Sequence, residues 1–164
     1  MNIFVLSKSP VISAQEMCDK HVVKMILESA QMLSTAHRIL DGDDVDEILY
    51  KKTHANHPCT KWCRNTNNNY NWLYAHFRAL CDEYTFRYGK IHKTEQKLDK
   101  LLSVPPINID IGHLQEFPIA ISEDLRHLVT NDVHETYRKY YKYKQGVIDM
   151  RWTNRNMPQW MKGE

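Results

Sequence analysis

The sequence predicts an all-α, mostly helical fold. It reads as one compact domain over residues 1–164, with a short extended N-terminal segment and a long first helix crossing the core. Three observations carry this. Only five glycines and six prolines punctuate 164 residues, too few turn formers for a many-stranded β fold. Apolar residues recur at three- and four-residue steps over long stretches, which is the helical period. The chain is long enough, and at 42% hydrophobic residues apolar enough, to bury a core without staples.

Each element follows from its own signals. Residues 2–6, NIFVL, form a short apolar strand or extended segment that Pro10 ends. Ser13 with Glu16 three residues on reads as a capping box, so the first helix is expected from about 14 to 39, stopping before Asp41-Gly42. The loop 41–57 holds a short helical possibility at 44–52. His57-Pro58 opens the next element, with proline suited to a first helical position. Thr66 and the asparagines 67–69 interrupt or restart it. Tyr70, Leu73, Phe77, Leu80, Tyr84 and Tyr88 then mark an amphipathic helix over roughly 66–88, with Gly89 as its stop. A shorter helix over 94–102 is halted by Pro105-Pro106. Residues 104–121 read as irregular, a helix over about 122–129 follows, and Thr130 is the expected cap of a last helix reaching Gln145.

The net charge of +2, from 22 basic and 20 acidic residues, is too near balance to define a polyanion partner by itself. The distribution is uneven. DGDDVDE at 41–47 holds five acids and no base, whereas residues 138–162 carry Arg138, Lys139, Lys142, Lys144, Arg151, Arg155 and Lys162 against Asp149 alone. The N-terminus lacks the basic and long apolar regions of a secretory signal, and no apolar run approaches a membrane span. Cys18, Cys59, Cys63 and Cys81 are therefore expected as free thiols in a reducing cytoplasm.

The first long helix is unusual around its circumference. Val22, Val23, Met25, Ile26, Leu27, Ala30, Met32, Leu33 and Ala36 wrap most of it. The exceptions, His21, Lys24, Glu28, Gln31 and Thr35, fall on one face at spacings of three and four. One reading is the wet face of an amphipathic helix, with Lys24 and Glu28 as a surface pair. The other is a helix buried on most sides that presents a carboxylate, an imidazole and an ammonium to a cleft, where a carboxylate can be tuned for proton transfer. The residues alone leave both open.

Other candidates are weaker. His54, His57, Cys59 and Cys63 are metal-capable types in the order H-x2-H-x-C-x3-C, which is no standard zinc spacing. The C-terminal third interleaves Tyr137, Tyr140, Tyr141, Tyr143, Trp152 and Trp160 with cations, the ingredients of nucleic-acid contact and equally of a core with a solvated face. There is no glycine-rich phosphate loop and no nucleophile elbow.

The segment CDKHVVKMILESAQML, residues 18–33, resembles the catalytic helix of the pyrimidine-dimer DNA glycosylases of phages and bacteria, the endonuclease V family. That family carries an aspartate, a histidine two residues on, and its glutamate seven residues after the histidine; Asp19, His21 and Glu28 keep this spacing. An extended N-terminus, His57-Pro58 opening the second helical region, Arg87-Tyr88-Gly89 closing it, and a basic aromatic tail with Pro158 and Trp160 continue the resemblance.

The resemblance implies a DNA glycosylase, with lyase activity, acting on a damaged or modified base. The N-terminal amine attacks the sugar C1′ and the helix glutamate supports charge and proton transfer. Carried onto this chain, the catalytic set is Glu28, the amine of Met1 or Asn2, and His21. Substrate contacts are expected from Lys24, Gln31, Arg38, His57, Arg151, Arg155 and Trp160. Double-stranded DNA is the expected partner, with no cofactor, no metal, no membrane and a monomeric state. Two departures bear on substrate: residue 2 is Asn where the phage pattern exposes a small threonine, and Leu27 and Gln31 stand where arginines flank the glutamate, leaving Lys24 or Arg38 to replace them. The alternatives are a non-catalytic factor binding a nucleotide or protein through the same stripe, and a metal-dependent hydrolase using His54, His57 and the cysteines.

Overall fold

In the computed structural model, residues 1–163 are described. Six α-helices follow one another: α1 Pro10–Glu16, α2 Asp19–Leu40, α3 Pro58–Asn65, α4 Asn67–Tyr88, α5 Lys93–Leu102 and α6 Val133–Gln145. Short 3₁₀ turns cover Glu123–Leu128 and Gln159–Met161. No strand occurs among the described residues, so NIFVL is extended and unpaired in any sheet. It lies in the core: Ile3, Phe4, Val5 and Leu6 are all buried. With no ladder to satisfy it, its backbone bonds side chains instead. Ser13 Oγ takes the Leu6 N–H at 3.1 Å and donates to the Phe4 carbonyl, and Arg138 Nε donates to the Leu6 carbonyl at 3.0 Å.

α2 is the central helix, packed by α3, α4 and α5, while α1 lies against α4. Met25, Ile26, Met32 and Leu33 are buried along it; each such side chain contributes about 1.5–3 kcal/mol of transfer free energy. Tertiary burial rather than propensity therefore holds this 22-residue helix together.

Three sequence expectations change here. The continuous helix from 14 is two helices: Ser9 caps α1 with Pro10 at its first turn, and Met17 and Cys18 are extended between α1 and α2. Ser13 lies inside α1, so it caps nothing. The helical possibility at 44–52 is a series of turns, because Arg38 draws the carbonyls of Asp43, Leu49 and Tyr50 onto its guanidinium. α6 is capped by Asp132, whose carboxylate accepts from His134 N–H and Glu135 N–H, rather than by Thr130.

The segment 104–121 is irregular as expected, yet pinned. Thr66 caps α4 by accepting from Asn69 N–H at 3.1 Å and donates to the His113 carbonyl at 3.0 Å. Asn67 accepts from Gly112 N–H, and Asn69 accepts from Gln115 N–H at 2.9 Å. The asparagine run thus starts a helix and also fastens the strap that runs on to Ala120, beside the N-terminus.

Candidate active site

A cleft of about 200 Å³ opens where the N-terminal segment, α2 and α6 meet, lined by Met1, Asn2, Phe4, His21, Lys24, Met25, Glu28, Ala120, Tyr140 and Lys144. Larger hollows exist, such as one between Arg38, Asp43, Glu47, Lys51 and Lys52. This one joins an α-amine to a carboxylate.

Glu28 projects from α2 with its side chain 12% exposed. Its Oε2 accepts the Asn2 backbone N–H at 3.1 Å and lies 3.9 Å from the Met1 ammonium. Its Oε1 lies 3.6 Å from Lys24 Nζ, which reaches into solvent. Asn2 is fixed by three bonds of its own side chain. Its amide donates to the Ala120 carbonyl at 2.9 Å, and its Oδ1 accepts from the N–H groups of Ile3 and Phe4. That double acceptance turns the chain sharply, and Phe4 adopts φ 54, a left-handed conformation that costs a bulky residue roughly 1–2 kcal/mol. The strain places the Phe4 ring on His21, centroids 4.5 Å apart.

His21 is buried, with Nδ1 2.7 Å from the Tyr141 hydroxyl, which also accepts the Cys18 N–H at 3.0 Å. Burial, then the nearby Lys144 and Lys24 charges, pull its pKa down to about 4. The imidazole is therefore neutral near pH 7. Lys144 is half-buried; burial and the Lys24 charge lower its pKa.

The structure brings Met1, Asn2, His21, Lys24 and Glu28 together. Gln31 follows one turn along α2, half-buried. His57 is the cap of α3, its Nδ1 accepting from Cys59 N–H. Burial first, then the Met1 ammonium, lowers its pKa, while the Glu28 charge opposes this, so it flanks the site.

The remaining expected contacts lie elsewhere. Arg38 is held by loop carbonyls, and Arg151 pairs with Asp149 at 2.9 Å. Arg155 binds Glu83 and stacks on Phe86, and Trp160 packs against Tyr141 and Arg138. Asp19 also faces away: its carboxylate binds Arg87, Thr153 N–H and the Thr153 hydroxyl. Burial works against its charge, but the bonds from Thr153 and Arg87 outweigh it and hold the carboxyl below the usual range.

The sequence reading did not bring Phe4, Ala120, Tyr140 or Lys144 to this cleft, Tyr140 and Lys144 having entered it only among the aromatic and basic residues of the C-terminal third. Tyr140 and Lys144 had a local signal, an aromatic and a cation one turn apart on α6. Phe4 and Ala120 had none, because a strained φ and a loop carbonyl leave no periodicity.

The histidines and cysteines of 54–63 do not assemble into a ligand set, and among the described residues no three such groups converge. Burial pushes the Cys59 thiol up to about 12 and raises Cys63 as well. Among the described residues, no helix is long and apolar enough to cross a membrane.

A family model described as pyrimidine dimer DNA glycosylase matches residues 1–96, from the N-terminal segment through the first turn of α5. No curated protein and no solved structure matches the chain.

Proposed function

The chain belongs to the pyrimidine dimer DNA glycosylase family, and from that premise we propose that it excises a damaged pyrimidine from duplex DNA by imine chemistry at its N-terminal α-amine, with Glu28 handling protons. The observation that carries this reading is the double approach to one carboxylate oxygen. Met1 N lies 3.9 Å and Asn2 N 3.1 Å from Glu28 Oε2. Whichever of the two residues bears the free amine, it meets the same acid.

In this mechanism Glu28 takes a proton from the ammonium, and the neutral amine attacks C1′ of the deoxyribose. The N-glycosidic electrons leave with the base, which is protonated as it departs, and the protein nitrogen is left bonded to C1′. The C1′–O4′ bond then opens with a proton going to O4′, and the nitrogen lone pair forms the iminium that joins the protein to C1′. Loss of the C2′ proton to the carboxylate then expels the 3′ phosphate, which is the lyase step. Lys24 and Lys144 face the phosphates on either side. His21 stays neutral and fixes the cleft wall through Tyr141. Asn2, tied to Ala120, holds the amine in line, and such positioning is a large share of any barrier reduction.

The test is borohydride trapping on duplex DNA with an abasic site, using protein with an untagged N-terminus. The expected result is a covalent adduct that N-terminal acetylation abolishes and that mass spectrometry maps to residue 1 or 2. Glu28→Gln should lower excision from dimer-containing DNA by about 10²-fold or more. An adduct that survives acetylation, or undiminished excision by Glu28→Gln, would sink the proposal.

A further inference from the structure

Two nitrogens approach one oxygen of Glu28, and the packing of the first two residues separates them. Met1 as a whole residue is only half-buried, yet its side chain is 2% exposed. The part of Met1 that solvent reaches is therefore its main-chain end. With that end Met1 lines the cleft, while its apolar chain packs against the core.

The two nitrogens are held differently. Asn2 N donates to Glu28 Oε2 at 3.1 Å. It belongs to a residue 7% exposed whose side chain makes three further bonds. As a peptide nitrogen, with its lone pair in resonance, it is no nucleophile. Met1 N lies 3.9 Å from the same oxygen. At that distance its protons are not tied in a hydrogen bond, while the carboxylate stays close enough to receive one. Loss of Met1 would merge these two tasks on Asn2 N and vacate the space that the buried side chain fills. Residue 2 works against that loss, because the enzymes that trim an initiator methionine admit only small second side chains, and asparagine is not one.

We propose that Met1 is retained in the working protein and is the residue that attacks, its buried side chain anchoring the α-amine beside Glu28. This rests on the reading that the lesion is excised by imine chemistry at the N-terminus. In the attack the ammonium gives a proton to Glu28 and the neutral amine bonds C1′. The C1′–base bond breaks with its electron pair on the base, which takes a proton that Glu28 relays. Asn2 N–H remains an uncharged donor that fixes the carboxylate. Methionine suits an anchor, since its unbranched chain fills irregular space. A seated side chain also leaves the amine little freedom to lose on meeting the sugar.

The test begins with the intact mass of protein expressed without a tag, which should include Met1. Two further forms are released from an N-terminal ubiquitin fusion, one starting at Met1 and one at Asn2, with no other difference. The Met1 form should be trapped by borohydride on abasic DNA, with the adduct on the methionine. The Asn2 form should trap about 10²-fold more slowly and keep its affinity for undamaged duplex within about twofold, which shows that it is folded. Met1→Gly, released in the same way, keeps an amine and loses the anchor, and should slow trapping by about tenfold. Met1→Leu should recover most of that loss. An intact mass lacking Met1, or an Asn2 form that traps as fast as the Met1 form, overturns the assignment to Met1 and leaves the glycosylase reading standing. Equal trapping by Met1→Gly overturns the anchor. If neither form traps, the glycosylase reading and this inference fall together.

Discussion

Asn2 shows how much a short polar side chain can organise. Its amide reaches the Ala120 carbonyl and its oxygen reverses the chain at Ile3 and Phe4, while its backbone N–H meets Glu28. At the same scale, His21 and His76 are buried with pKa values drawn down to about 4, burial being the largest cause for each. The unfolded chain binds these protons near the ordinary histidine value of about 6.5, so between pH 6.5 and 4 it holds more protons than the native state. Stability is thus full above about 6.5 and falls as pH drops toward 4. Urea midpoints measured across that window should decline, and the two imidazoles should stay neutral by NMR at pH 5.5. Protonation of either above pH 6 would contradict this. Glu28 and His21 were legible because seven residues is nearly two turns and keeps one face. Asp19 stands nine residues from Glu28, two and a half turns, and so points to the opposite side.

Helices with local signals were readable, and those set by distant contacts were not. α3 and α4 announced themselves through His57-Pro58, Thr66, the apolar stripe and Gly89, whose φ of 67 suits only a residue tolerant of the left-handed region. The break between α1 and α2 had no such mark. The Cys18 N–H goes to the Tyr141 hydroxyl and the Asp19 N–H to the Arg151 carbonyl at 2.7 Å, partners more than 120 residues away. Ser9-Pro10 did carry the signature of a helix start, and the Ser13–Glu16 box masked it. The α4 cap gives an element-level prediction. Thr66→Ala removes the acceptor for Asn69 N–H and leaves the His113 carbonyl unpaired, which should lower stability by about 1–2 kcal/mol in chemical denaturation. It should also loosen the 104–121 strap, seen as faster amide exchange at Gly112 and Gln115. Unchanged exchange there would separate the cap from the strap.

Across the whole molecule, one charged network ties α1, α2, α4 and the C-terminal segment. Arg87, with a fully buried side chain, donates to Glu83, to Asp19 and to the Gln15 carbonyl, and Arg155 closes on Glu83 from the tail. Removing one partner of a buried pair strands the other, so Arg87→Ala should destabilise by about 3–5 kcal/mol. Arg155→Ala, at a partly exposed and salt-screened position, should cost under about 1 kcal/mol. Equal effects of the two in urea titrations would refute this ranking. Sequence alone showed a basic tail and left open what it did. Most of its cations are tied to protein groups, and Lys144 is the one that reaches the cleft.

The attachment of Asp19 to the Arg151 carbonyl and to Thr153 also bears on how the protein is made. Translation delivers the amine and Glu28 early. At the start of α2 the Cys18 and Asp19 N–H groups then wait for the Tyr141 hydroxyl and the Arg151 carbonyl, and the Asp19 carboxylate waits for the two donors of Thr153, until those residues leave the ribosome. The cleft wall carried by α6 arrives in the same interval. A nascent chain therefore carries its N-terminal segment against an unfinished cleft until residues 133–153 are added.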